Sequence, residues 1–351
     1  MSRRTLATSV VVTLLLALVT AMVALPVPYV AMSPGPTVDV LATSGGKPII
    51  DVAGHPSYPT RGDLRLTTVS VTNPTRSLRL PEVLVAWFDK ERAVYPRDII
   101  YPPDQSAEDV EQQSNVEMVS SQDLAVAAAL TELGYHLPVQ VEVLAVTKGS
   151  PAAGRLEVRD RIIAVEGTRI TRAEQVSKAL QAIGVDKTAR LLVRRDGKDR
   201  TVTVRTRAAD DDPQRAVVGV QIGVGYDFPF EVSVRLQDDI GGPSAGLIFA
   251  LGVYDTLTPG ALSGGSDIAG TGTITEAGRV GPIGGIQQKI VAAEQAGAKV
   301  FLVPPDNCDS AVQAPVGRDT IRLVKAPTLH SAVRSLQTYA DDPSADLPSC
   351  R

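Results

Sequence analysis

The sequence has few of the residues from which metal and nucleotide sites are built. Its 351 residues include two cysteines and three histidines, and these do not have the spacing of a zinc site. No stretch matches the phosphate-binding pattern G-x-x-x-x-G-K-[ST]. These absences argue against a zinc enzyme and against an ATP-driven one. We therefore expect no metal, no other cofactor and no use of ATP.

The charge is also close to balance, with a formal net charge of −4. No basic cluster with interleaved aromatic residues occurs, so we expect no nucleic-acid partner.

A catalytic triad of the Ser-His-Asp type stays open, although none of the histidines (His55, His136 and His330) lies in a motif. A chain of this length is sufficient for two or three domains.

An uncharged, apolar run covers residues 6–25, and roughly 20 such residues span a bilayer as a helix. Arg3 and Arg4 precede the run, and the next basic residue is Lys47. The positive-inside rule then leaves the N-terminus in the cytoplasm and the rest of the chain outside. We favour an uncleaved single-pass anchor in contact with the lipid bilayer. The alternative is a cleaved signal peptide, for which the run is long.

Residues 33–119 contain alternating apolar stretches, such as residues 64–71, which indicate strands. A short helix is expected over residues 80–90 and includes the single tryptophan, Trp87. This segment holds no constellation of reactive side chains. We expect it to be β-rich and to pack against the later domains or to space them.

Residues 120–123 are expected to cap a helix, and a strand (139–146), a GSPAA motif (149–153) and a second helix (173–183) follow. In this pattern residues 120–207 resemble a PDZ domain of the kind associated with bacterial proteases. Arg159 replaces the usual glycine of a turn. The resemblance implies an extended peptide added to a sheet edge beside a helix, with Gly134 and Tyr135 at the peptide-binding loop. The alternative is a packing module with a closed groove.

Gly242 and the Pro243-Ser244 pair precede an apolar run at 247–251. Proline is tolerated in a first helical turn, and a helix that is apolar all round is buried. Ser244 would then lie at the positive end of a buried helix, where backbone N–H groups near Gly242 can hold an oxyanion. The alternative is an N-cap serine after a Gly-Pro turn.

Residues 281–297 are expected to form a glycine turn, a helix and a glycine C-cap. Lys289 shares its apolar face with Ile286 and Ala293. A buried lysine loses its charge through desolvation, and a neutral amine can activate a serine hydroxyl. Ser-Lys pairs are a known variant of the catalytic triad.

Three blocks, at 242–246, 278–289 and 296–304, look like the proteolytic domain of Lon proteases, in the order and spacing of that family. The resemblance implies that Ser244 is the nucleophile, that Lys289 is its general base and that Thr271 supports them by hydrogen bonding. It also implies a homo-oligomer, since such domains often form hexameric rings.

Two positions depart from the family pattern. Gly241 stands where an acid is frequent, and Thr273 stands where a glutamate is frequent. Neither belongs to the Ser-Lys pair. The two cysteines, Cys308 and Cys350, fall in the part expected outside the cytoplasm, where disulfides persist. A bond between them would fix the C-terminal tail to the proteolytic domain, and two free thiols are the alternative.

The sequence therefore predicts an α+β multidomain protein. Its parts are a cytoplasmic stub and transmembrane anchor (1–32), a β-rich extracytoplasmic segment (33–119), a PDZ domain (120–207) and a Lon-type α/β proteolytic domain (208–351). The expected function is an ATP-independent serine endopeptidase of the bacterial cell membrane, which cleaves extracytoplasmic or unfolded proteins recruited by the PDZ domain. The alternative is a PDZ-based membrane scaffold whose Lon-like domain is inactive or processes only itself.

Overall fold

The structure is a computed structural model that describes residues 3–102, 107–236, 241–317 and 319–350. The polar residues 237–239 predict a turn before Ser244, and residues 318–324 have the pattern of a last strand; residues 237–239 and Arg318 lie outside the described residues. The helices are α1 (Arg3–Ala24), α2 (Leu80–Phe88), α3 (Arg97–Ile100), α4 (Ala107–Glu132), α5 (Ala173–Ile183), α6 (Gly246–Leu257), α7 (Ile286–Gln295), α8 (Cys308–Ala311) and α9 (Leu329–Asp341).

The strands of the N-terminal third are β1 (Pro26–Val27), β2 (Tyr29–Asp39), β3 (Thr43–Ser44), β4 (Lys47–Pro48), β5 (Ile50–Ala53), β6 (Asp63–Val71), β7 (Leu78–Arg79) and β8 (Ala93–Pro96). Those of the middle third are β9 (Val139–Val146), β10 (Arg161–Val165), β11 (Thr168–Arg169), β12 (Thr188–Arg195), β13 (Lys198–Arg205), β14 (Arg207–Ala208), β15 (Ala216–Val217), β16 (Val220–Tyr226) and β17 (Glu231–Val234). The last are β18 (Asp267–Gly270), β19 (Thr273–Ile274), β20 (Val280–Gly281), β21 (Val300–Val303) and β22 (Arg322–Lys325).

The largest sheet combines strands from both ends of the chain, in the order β22-β21-β18-β6-β2-β8. Strands β22, β21, β18 and β6 run parallel, and β2 and β8 are antiparallel additions. The segment expected at 33–119 therefore does not merely pack against the proteolytic domain or space it. It supplies β6, a central strand that pairs with β18 across some two hundred residues of sequence.

Helix α6 lies in the main hydrophobic core of this sheet, as its apolar sequence predicts. Residues 247–251 are completely buried, and they pack with apolar residues of β6, β18 and the C-terminal half of α4. Cys308, at the start of α8, is disulfide-bonded to Cys350, and this bond holds the tail against the core formed by α7 and β21.

A second sheet has the order β13-β12-β10-β9-β16, with β11 beside β10 and α5 packed over its apolar core. Strand β9 and helix α5 have the predicted bounds. The last strand in the order, β16, comes after the segment expected to complete the domain. It pairs with β9 on one side, so it is an edge strand of the described sheet.

Helix α4 differs from the prediction at its start. Ser120–Asp123 were expected to cap a helix, but they lie inside one that begins at Ala107. Their side chains bond to other elements instead: Ser121 Oγ donates to the Pro243 carbonyl, and Asp123 accepts from Arg159. Arg159 itself has a φ of 73°, the left-handed conformation for which its turn usually has glycine.

Candidate active site

Ser244 lies in a single 3₁₀ turn, Pro243–Ala245, directly before α6. Gly242 precedes this turn with a φ of 88°, a conformation that a residue with a Cβ adopts only at a cost. Ala245 and the following residues are buried, which fixes the turn to the core. The Ser244 side chain is half-buried and borders a cleft.

Lys289 reaches Ser244 from α7. Its residue is only 3% exposed, and its Nζ lies 2.7 Å from Ser244 Oγ and 3.1 Å from Thr271 Oγ1. Thr271 is buried and donates from Oγ1 to the Ser244 carbonyl at 3.0 Å. The structure thus brings the three side chains together, with the threonine holding both the amine and the backbone of the serine.

Burial changes the acid–base state of this lysine. Desolvation disfavours the ammonium and lowers the pKa of Lys289 from 10.5 to about 8. A substantial fraction of the amine is then neutral near pH 8. In that state Ser244 Oγ–H can donate to the Nζ lone pair while Nζ–H donates to Thr271 Oγ1, so each polar atom keeps a partner.

The cleft beside Ser244 has a volume of about 350 Å³ and is lined on one side by β6. Strand β18 ends at Gly270, opposite Leu66, whereas β6 continues to Val71. Among the described residues, no strand therefore pairs with β6 beyond Leu66 on the side of β18, next to Ser244. Met118 of α4 completes this wall of the cleft, and the sequence alone gave no reason to single it out.

Gly242 is adjacent to Ser244, but its N–H is engaged. It donates to the carbonyl of Ser114, in α4, at 3.3 Å. Helix α4 is so close here that a Cβ on Gly241 would lie 2.1 Å from Ser114 Oγ. In this structure the expected oxyanion donor therefore points at α4.

Gly134 and Tyr135 were expected at the peptide-binding loop, and the structure places them elsewhere. Tyr135 packs edge-on against Phe230, with ring centroids 5.7 Å apart, and its hydroxyl lies 3.2 Å from His55 Nε2. This contact belongs to the core of the large sheet. Neither residue lines the groove beside β16, the edge strand of the PDZ sheet.

The groove of the PDZ sheet lies between β16 and α5 and has a volume of about 760 Å³. Val176 and Leu180 line it from α5, and Val220 and Ile222 line it from β16. Gly223 is the sequence signal that could have identified β16. A Cβ at this position would lie 2.5 Å from Leu144 of the neighbouring strand β9, so glycine permits the two strands to pair closely.

The histidines do not form a triad with Ser244 in the described part of the chain. His55 stacks on Phe230, His330 lies 2.7 Å from Glu132, and His136 is exposed. The basic side chain next to Ser244 Oγ is that of Lys289. Among the described residues, no group of three or more His, Cys, Asp or Glu side chains is placed to hold a metal ion.

Comparison with known proteins assigns both units. Residues 239–334 match the family profile described as the Lon protease (S16) C-terminal proteolytic domain, and residues 110–206 match the profile of the PDZ domain. The Lon protease of Campylobacter concisus is 47% identical over 68 residues, which are 19% of this chain and 8% of that protein. The Lon protease of Rhizobium meliloti is 40% identical over 117 residues, 31% and 14% of the two chains.

A solved PDZ domain, that of the SdrC-like protein from Listeria monocytogenes, is 19% identical and covers 24% of this chain and 86% of that one, with a TM-score of 0.23. The chain spans only about a tenth of the length of the curated Lon proteases that it matches. The two profile matches and the mixed helix and sheet structure confirm the predicted fold class. The chain thus contains a PDZ domain followed by a Lon-type (S16) proteolytic domain.

Proposed function

We propose that this protein is a membrane-anchored, ATP-independent serine endopeptidase in which Ser244 is the nucleophile and Lys289 the general base. The observation that carries the proposal is the 2.7 Å approach of Lys289 Nζ to Ser244 Oγ at a buried position. The match of residues 239–334 to a proteolytic domain gives the class of reaction.

In the first step neutral Lys289 accepts the Ser244 proton as Oγ attacks the carbonyl carbon of the scissile peptide bond. The protonated lysine then donates that proton to the leaving amine, and the acyl-enzyme forms. Water attacks the ester in the second half, with Lys289 again as base. General base catalysis of this kind contributes on the order of 10²–10⁴-fold. Thr271 keeps the amine in place through its hydroxyl.

The tetrahedral intermediate needs donors for its oxyanion. The N–H of Gly242 is the nearest candidate on the approach to Ser244, and we propose that substrate replaces its bond to the Ser114 carbonyl. That bond is 3.3 Å long, which is at the weak end of the range. An oxyanion donor contributes about 10²–10³ in rate, so breaking this contact is favourable in the transition state.

The substrate is proposed to bind as an extended strand. No described strand pairs with the β18 side of β6 beyond Leu66, so such a strand can pair there beside Ser244. The edge strand β16 offers a second site in the PDZ groove. Strand addition is a common mode of peptide recognition. The two edges together support recruitment of extended or unfolded protein segments.

The membrane anchor in this proposal is α1. Its described side chains are exposed, and Arg4–Ala24 is long and apolar enough to cross a membrane. The positive charges before it favour an extracytoplasmic location for the catalytic domain. We also infer a homo-oligomer from the relationship to Lon proteolytic domains, in which hexameric rings are expected.

A second candidate function is a PDZ-based scaffold whose proteolytic domain is inactive or cuts only itself. The engaged N–H of Gly242 favours this alternative, since an occupied oxyanion donor does not support turnover. Both candidates share the anchor and the PDZ groove. They differ in whether an added protein is cleaved.

The test uses the full chain in vesicles with an unfolded protein substrate and no ATP. Ser244→Ala and Lys289→Met are compared with Lys299→Met, which makes the same change at an exposed lysine. We expect cleavage by the parent and the Lys299 variant and none by the other two. Cleavage that survives in the Ser244 variant contradicts the proposed nucleophile. A parent that cuts only itself favours the second candidate.

A further inference from the structure

Helix α2 exposes a continuous apolar surface, which we call the α2 face: Leu84, Val85, Trp87 and Phe88. These residues are 47%, 64%, 67% and 80% exposed, respectively. Val83 and Ala86, on the other side of the helix, are buried. A helix that is apolar on all sides belongs in a protein core or a membrane, and a contiguous exposed apolar patch marks a contact surface.

The fold places the α2 face next to the exit of α1. Strand β1 follows α1 after one residue and pairs with β7, so that Val27 lies opposite Leu78. Helix α2 begins directly after β7 and contacts α1. On the neighbouring strand edge, the Arg97 amide donates to the Pro28 carbonyl. Two separate pairings thus hold this surface at the point where the chain leaves α1.

We propose that the α2 face lies in the headgroup and upper acyl region of the bilayer, beside α1. The inference rests on the proposed anchor, because the membrane surface is located by the end of α1. The occupant is lipid because the patch is continuous with a helix whose described side chains are themselves exposed and apolar. Tryptophan is enriched at membrane interfaces, and exposed Arg79 and Lys90 flank the helix, as on interfacial helices.

This placement fixes the protein at two points instead of one. A single helix alone lets a soluble domain rotate and tilt about its exit residue. Burying the α2 face stops that motion and holds β2 and the edge strand β8 at the membrane, since α2 packs on both. The consequence is a defined orientation of the large sheet relative to the bilayer.

The single tryptophan makes the test direct, because all indole fluorescence of the chain comes from Trp87. The full chain is reconstituted into phosphatidylcholine vesicles with a fraction of anionic lipid. The emission spectrum is recorded in ordinary lipid and in lipid brominated near the headgroup end of the acyl chain. We expect blue-shifted emission and strong quenching by the brominated lipid. Flotation after alkaline carbonate extraction reports separately on α1.

The matched variants are Phe88→Ser, in the α2 face, and Val158→Ser, an exposed valine of the PDZ unit. We expect the first to reduce the quenching of Trp87 and the second to leave it unchanged, with flotation intact in both. A chain that floats but whose Trp87 is not quenched overturns the proposal and leaves the anchor standing. Blue-shifted emission without quenching also overturns it, because a second protein copy then covers the face. A chain that fails to float contradicts the anchor itself.

Discussion

The depressed pKa of Lys289 has a measurable consequence for stability. In the unfolded chain this lysine binds a proton below pH 10.5, and in the folded protein only below about pH 8. As the pH falls from 10.5 to 8, only the unfolded state gains a proton, so the free energy of unfolding decreases. At 1.36 kcal/mol per pKa unit, the loss amounts to about 3 kcal/mol and stays constant below pH 8.

Lys289→Met removes this penalty, since methionine fills the same space and carries no charge. We expect the variant to be more stable than the parent by up to about 3 kcal/mol at pH 7. The advantage should shrink as the pH is raised towards 10.5, where the parent's lysine is neutral in both states. The difference between the two proteins isolates this one group from all others that titrate in the same range.

The assay is guanidinium unfolding of the detergent-solubilised chain, followed by far-ultraviolet circular dichroism at pH 7 and pH 10.5. Lys299→Met serves as the exposed control and should show no pH-dependent difference from the parent. An advantage of Lys289→Met that is equal at both pH values would refute the argument, because it would mean that the pKa of Lys289 is the same in the folded and the unfolded state. In parallel, the parent's cleavage rate should fall about tenfold per pH unit below pH 8.

Three further predictions concern other groups. Thr271→Val removes the hydroxyl that bonds Lys289 Nζ and should lower kcat about tenfold to a hundredfold, with KM little changed, in steady-state peptide cleavage. Burial and the neighbouring Asp123 raise the pKa of Glu142 to about 7, so Glu142→Gln should raise the thermal midpoint, by a margin that grows from pH 4.5 to pH 7 and is then constant. A margin that shrinks with rising pH would contradict this. Cys308→Ser opens a loop whose ends are 42 residues apart and should cost about 4 kcal/mol in guanidinium unfolding, an effect that reductant reproduces in the parent.

The local elements of the site could be predicted from the sequence because their signals are local. The apolar run after Pro243-Ser244 and the 3.6-residue pattern around Lys289 each lie within one helix. The pattern of one helix decides which side chains are buried, and burial in turn decides the state of the lysine. The pattern of residues could not predict the 2.7 Å distance between Lys289 Nζ and Ser244 Oγ, because that distance depends on how α6 and α7 pack.

The pairings between distant segments could not be predicted in the same way. Residues 64–71 were recognisable as a strand, but their period-two pattern says nothing about which strand they pair with. The structure pairs them with β18, and this makes the N-terminal third part of the catalytic core. Likewise, β16 follows the PDZ segment in sequence yet forms its edge. The order of segments along the chain therefore did not show which strand forms the edge of the PDZ sheet.

Helix α4 shows how these long-range contacts connect the two units. Its Ser114 carbonyl accepts from the N–H of Gly242, close to Ser244, and its Asp123 accepts from Arg159 of the PDZ unit. Nine residues of helix separate the two contacts, which is about 14 Å at 1.5 Å per residue. A continuous helix of that length transmits a displacement at one end to the other with little loss. Arg159 lies in a left-handed turn next to the PDZ sheet, so this sheet and the serine turn both contact the same helix.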